Sequence, residues 1–116
     1  MPRDLIVLLE DIISSIDEIN QFLKDIHNIN EYKNDILRKR AVERNLEIIG
    51  EVVKKIPESI KTLNPDIEWR QIAGLRDFIA HGYFEIDDDI IWNIVENHLS
   101  PFRNRIQEIK NLPSRQ

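Results

Sequence analysis

The chain has no cysteine. Disulfides, a zinc–thiolate cluster and a thiol nucleophile are therefore excluded. It has no long hydrophobic run either. The N-terminal segment MPRDLIVLLEDII carries a single apolar stretch, Leu5 to Leu9, before Glu10 and Asp11. That is too short and too soon charged for a signal peptide, and nothing approaches the length of a membrane span. A cytoplasmic location with no membrane partner is the expectation. An excess of positive charge is missing as well. Sixteen Lys and Arg stand against 21 Asp and Glu, a net charge of −5, which speaks against broad, non-specific binding to nucleic acid. The charge is uneven, however: segment 33–44 holds five basic side chains and two acidic ones. Such a face is compatible with a confined anionic substrate, although charge alone favours a solvated helix surface.

What is present is a soluble, helical pattern. The 116 residues are 41% hydrophobic and 32% charged, the balance of one folded domain spanning 1–116. Leu5, Leu8, Leu9, Ile12, Ile16, Ile19, Leu23 and Ile26 recur at three- and four-residue spacing, which predicts a first amphipathic helix over about 4–26. Asn30 is a candidate N-cap for a second helix, about 31–55, with a stripe from Ile36 and Leu37 through Leu46, Ile49 and Val53. Pro57 ends it and starts a short turn of helix to Leu63. A third helix is expected from Asp66 or Glu68 to Ala80 or His81, with Gly82 as a left-handed cap. Asp87 to Asp89 offer the N-cap of a fourth, which Pro101 should kink or break. Isoleucine occurs 21 times and alanine three times. Packing of the stripes, not helix propensity, must therefore carry the helices. No repeat, low-complexity tract or linker divides the chain. The expected fold is all-α, an antiparallel four-helix bundle with one additional short helix.

The residues that periodicity leaves unexplained lie at the end of the third helix, in RDFIAHGYFEID (76–87). Ile72, Leu75, Ile79 and Phe78 make its apolar face. Asp77 and His81 are four apart, on one face, where a carboxylate can fix an imidazole's tautomer. Arg76 and His81 are five apart, about 140° around a helix, so they do not form one row. The spacing suits two copies meeting across a two-fold axis, each adding an arginine and a histidine to one cleft. Arginines can hold a phosphate and stabilise a pentacoordinate transition state, and histidines can move protons between a ribose 2′-OH and a leaving 5′-oxygen. That chemistry requires no metal or cofactor, and no metal-ligand set is evident. Taken alone, the same three residues also suit a surface salt-bridge cluster.

Three segments in order, AVERNLEIIGEV (41–52), IEWRQIAGLRDFIAHGYFEID (67–87) and IIWNIVENHLSPF (90–102), resemble the HepT-like branch of the HEPN superfamily. The resemblance rests on R-x-x-x-x-H-x-Y together with the preceding Trp69–Arg70 pair and Gly50–Glu51. It implies a homodimer and a metal-independent ribonuclease in which Arg76 and His81 are catalytic and Asp77 is the polar residue that follows the arginine. It further implies a toxin whose partner, a minimal nucleotidyltransferase antitoxin, transfers AMP to Tyr83. A phosphate placed there would block the cleft. Glu51 and Asn45 are expected to support the site, Glu51 by orienting Arg76. For Glu43 and Glu47 a solvated face is as good a reading, and Trp69 and Trp92 are expected as core or interface anchors. His27 and His98 carry no assigned role. The competing functions are a non-catalytic nucleotide-binding or scaffold subunit for a nucleotidyltransferase, and a structural dimer stapled by the Arg–His cluster.

Overall fold

In the computed structural model the periodic positions of the first segment become the buried stripe of α1 (Arg3–Phe22), with Leu9, Ile12, Ile16 and Ile19 wholly inaccessible. The structure describes residues 3–82 and 86–112, and every regular element among them is helical. α1 stops at Phe22, short of the expected 26, because a new start signal intervenes. Asn28 caps α2 (Ile29–Lys33): its side-chain oxygen accepts from Glu31 N at 3.0 Å, while Glu31 Oε1 accepts from His27 N at 3.1 Å. This reciprocal pair satisfies two orphan donors, which Asn30, lying inside α2, does not do.

The expected second helix is also interrupted. Asp35 caps α3 (Ile36–Lys55), accepting from Arg38 N at 3.1 Å and pairing with the Arg38 guanidinium at 2.6 Å. Ile36 and Leu37, assigned to the buried stripe, lie in the first turn of α3 and are 61% and 84% exposed. From Val42 the stripe is buried as expected, through Leu46, Ile49 and Val53. α4 (Glu58–Leu63) follows, with Pro57 as its N-cap residue.

The third segment forms α5 (Trp69–Ala73) and α6 (Leu75–Ala80). Gly74 between them keeps helical angles, φ −67° and ψ −15°, and Gly74 N still donates to Arg70 O at 3.0 Å. The helix is loosened at its weakest helix former. Phe78, expected on the apolar face, is 42% exposed, whereas Ile79 is buried. No described residue has positive φ, so Gly82 is not a left-handed cap. A Cβ there would stand 2.6 Å from Ile86 Cγ1, so a larger residue would displace that side chain.

The fourth segment is α7 (Asp88–Asn97) and α8 (Leu99–Lys110), with Asp87 accepting from Asp89 N and Ile90 N. The break falls at His98, three residues before Pro101. A proline in the first turn of α8 loses nothing, while its ring would crowd the carbonyl four residues back in a continuous helix.

α1 packs along α3 and α8, α3 also receives α5 and α6, and α2 bridges α3 and α7. Trp69 is a core anchor: its indole N–H donates to Asn64 O at 3.0 Å and its ring meets Phe102 edge-on at 6.4 Å. Trp92 packs on the buried ring of Tyr32 at 5.5 Å. No helix among the described residues is long and apolar enough to cross a membrane.

Candidate functional site

Gly50 determines where the sequence-predicted residues can meet. A Cβ at this position would stand 2.8 Å from Arg76 N and 3.1 Å from the carbonyl oxygens of Ala73 and Ile72. Lacking one, Gly50 lets the backbone of α3 touch the junction of α5 and α6. The next residue, Glu51, then reaches Arg76, its Oε1 lying 3.6 Å from Nε. One turn further along α3, Lys54 Nζ lies 3.5 Å from Asp77 Oδ2. Asp77 Oδ1 in turn lies 3.3 Å from Arg76 Nη1. Glu51, Arg76, Asp77 and Lys54 thus form a chain of alternating charge along the α3–α6 seam.

Asp77 also connects this chain to His81. The main-chain carbonyl of Asp77 accepts from His81 N at 3.0 Å and lies 2.9 Å from His81 Nδ1. A carbonyl can only accept, so Nδ1 carries the proton in this bond. An imidazole that donates through Nδ1 can act as a base only at Nε2. The sequence reading gave the tautomer-fixing role to the Asp77 carboxylate. Here the backbone of the last helical turn performs it, and the carboxylate is engaged by two cations. The Lys54 charge first, then the Arg76 hydrogen bond, hold the Asp77 carboxyl below its usual value.

The seam is open to solvent. The side chains of Arg76, Asp77, Lys54 and Glu51 are 41%, 55%, 46% and 42% accessible, and His81 is exposed. The groove of about 540 Å³ between α5–α6 and α7–α8 is lined by other residues, among them Ile72, Leu75, Ile94 and Phe102. An exposed cluster of this kind can bind and orient an anion at its surface. Among the described residues no group of three or more His, Asp and Glu is placed to hold a metal ion.

The remaining predicted residues separate. Asn45 is buried: its Nδ2 donates to Ala41 O at 3.1 Å and its Oδ1 meets no partner among the described residues. No hydrogen bond joins it to Arg76 or Asp77. Glu43 is buried and pairs with Arg40 at 2.9 Å, and Glu47 lies 3.6 Å from Arg44. With Arg38 held by Asp35, the basic stretch of α3 is largely neutralised by its own helix. Tyr83 lies outside the described residues. Lys54 was missed in the sequence, although Gly50-Glu51-x-x-Lys54 places a glycine, an acid and a base on one face of α3, in register with Arg76–Asp77.

A family model described as ribonuclease HepT-like matches residues 12–109. Two proteins of Methanocaldococcus jannaschii, each named "Putative RNase", are 37% and 38% identical to the chain over 107 and 113 residues. The matches cover 92% and 97% of this chain and 91% and 90% of those relatives. A Thermococcus cleftensis protein named "Probable ribonuclease HepT" is 35% identical over 102 residues, covering 88% of this chain and 92% of its own length. No solved structure matches the chain.

Proposed function

The chain belongs to the ribonuclease HepT-like family, and on that premise we propose that it is a metal-independent endoribonuclease toxin acting as a homodimer. The observation that carries the reading is the pair of hydrogen bonds from the His81 main-chain N–H and Nδ1 to the Asp77 carbonyl, which fixes the imidazole at the helix end that carries Arg76. Nε2 of one His81 removes the proton of a ribose 2′-OH. The 2′-oxygen attacks the adjacent phosphorus, and Arg76 stabilises the added charge of the pentacoordinate state. The bond to the 5′-oxygen breaks, and that oxygen takes a proton from the imidazolium of the second protomer. The products are a 2′,3′-cyclic phosphate and a 5′-hydroxyl. The exposure of the seam supports a half-site that a second copy completes.

Control of this activity rests on a minimal nucleotidyltransferase antitoxin, which transfers AMP from ATP to the Tyr83 hydroxyl with release of pyrophosphate. Tyr83 follows His81 by two residues, so an AMP there places a phosphate beside the groups that hold the substrate's phosphate. Co-expression with such an enzyme is expected to add AMP-sized increments to the intact mass, mapped to Tyr83.

The decisive experiment is RNA cleavage by the purified protein in EDTA, with cyclic-phosphate ends scored. Wild type is expected to cleave and His81→Ala to be inactive. Full activity in His81→Ala would remove the assignment, and partner binding without any cleavage would favour a non-catalytic scaffold subunit.

A further inference from the structure

We infer that Lys54 is a positioning residue of this site: by holding one oxygen of the Asp77 carboxylate it keeps Arg76 available to an RNA phosphate. The inference rests on the ribonuclease reading and adds to it a residue outside the Arg–His motif.

The argument starts from what surrounds Arg76. Its guanidinium lies between two carboxylates, Glu51 at 3.6 Å and Asp77 at 3.3 Å. An arginine with two acids beside it belongs to a cluster of net charge −1, which repels an approaching phosphodiester. Lys54 Nζ, 3.5 Å from Asp77 Oδ2, brings the cluster to neutrality. It also divides the carboxylate: Oδ2 faces Lys54 and only Oδ1 faces Arg76. A bidentate grip, the strongest arrangement a carboxylate can make with a guanidinium, is therefore not formed. Among the described residues the contacts of Arg76 use Nε and Nη1. Lys54 reaches this place because Gly50 brings α3 onto the Arg76 backbone and Lys54 follows by one helical turn. Half of its side chain is solvent-exposed, so a phosphate can approach without its displacement.

Removing Lys54 should then act through Asp77. In Lys54→Met the carboxylate turns both oxygens to Arg76, and the cluster gains a net negative charge. Substrate binding weakens while the His81 chemistry is untouched, since the Asp77 main-chain carbonyl remains in place. The expected result is a kcat/KM lowered by about 2- to 5-fold, the range of an exposed ion pair, because Arg76 meets the phosphate in the bound substrate and in the transition state alike. Lys54→Arg should restore kcat/KM. Lys54→Met combined with Asp77→Asn should restore it too, because the carboxylate that captures Arg76 is gone.

The test is steady-state cleavage of a short fluorescent oligoribonucleotide by the full-length wild type and these three variants, at one fixed salt concentration, with thermal midpoints recorded alongside. A lower kcat/KM in Lys54→Met that both Lys54→Arg and the double variant reverse, at an unchanged thermal midpoint, supports the positioning role. A wild-type kcat/KM in Lys54→Met, or a double variant no better than Lys54→Met, overturns it while leaving the ribonuclease reading intact. The second of these results would make Lys54 a direct phosphate contact. Absence of cleavage by wild type overturns both.

Discussion

Gly50 in α3 lies against the main chain of Arg76 in α6, with room for a hydrogen and not for a methyl group: the missing Cβ would stand 2.8 Å from Arg76 N. This contact aligns Glu51 and Lys54 with Arg76 and Asp77. It involves two backbones, neither of which can swing aside as a flexible side chain would.

Gly50→Ala should therefore destabilise the protein. Overpacking against a backbone costs about 1–3 kcal/mol, and the helix propensity that alanine gains over glycine returns at most about 1 kcal/mol. The urea midpoint is expected to fall, and RNA cleavage with it, because Glu51 and Arg76 move apart. A higher midpoint than wild type would show that the two helices separate freely.

Arg76→Lys should not preserve activity. A lysine keeps the charge but loses the planar fork that can meet Glu51, Asp77 and a phosphate together. We expect kcat/KM to fall by at least about 10-fold, as for loss of a transition-state hydrogen bond of about 1.5–3 kcal/mol. A variant within two-fold of wild type, roughly 0.4 kcal/mol on the same scale, would reduce Arg76 to a point charge.

Acid should weaken the fold through three aspartates. Hydrogen bonds from Arg38 lower the Asp35 carboxyl, the Arg105 side chain lowers Asp66, and Lys54 with Arg76 lowers Asp77, all from an ordinary value of 3.8. A depressed folded-state value means that the stabilisation is complete above the unfolded-state value and is lost as pH falls through the folded one. Urea midpoints should be level from neutral pH to about pH 5 and drop below about pH 4. Asp66→Asn removes the partner that Arg105 contacts at 2.9 and 3.2 Å, so it should lower the neutral midpoint and shrink the acid drop. An unchanged acid drop would assign the effect to other carboxylates.

Tyr32→Phe tests a buried hydroxyl that meets no partner among the described residues. Burial first, and then the charges of Glu43 and Asp88, push its ionisation well above the usual 10.0. With the folded value raised, the stabilisation is present below the unfolded-state value and is lost as pH rises through the folded one. Near neutrality the phenylalanine variant should be as stable as wild type or more so, since an unsatisfied polar group is deleted. Above about pH 10 it should lose less stability on further alkalinisation. A clear loss at pH 7 would instead reveal a hydrogen bond made by the hydroxyl.

Much of the helix pattern was legible in the sequence. Every third or fourth residue of α1 is apolar, and that period is a property of consecutive residues, so Leu9, Ile12, Ile16 and Ile19 could be placed in the core without the fold. That Asp77 lies one turn from His81 was legible for the same reason, since both belong to one helix end. Where the helices break was less so. The sequence points to Asn30 as a cap, whereas Asn28 takes the role, with Glu31 three residues on reaching back to His27 N. Gly82 reads as a left-handed cap, yet its φ is not positive and the Ile86 side chain lies against it.

By itself, then, the sequence determined what depends on neighbours along the chain: the helical class, the stripes, and the motif that joins this protein to its family. Only the tertiary structure decided what depends on two segments meeting. It exposed Phe78, Ile36 and Leu37, buried Glu43, and moved the bond to His81 from the Asp77 carboxylate to its carbonyl. It also brought Lys54 to a residue 23 positions away. The physical reason is that a helix fixes only the face on which a side chain lies. Whether that face meets solvent, apolar carbon or an opposite charge is set by the helix packed against it, and here one missing Cβ at Gly50 sets that packing.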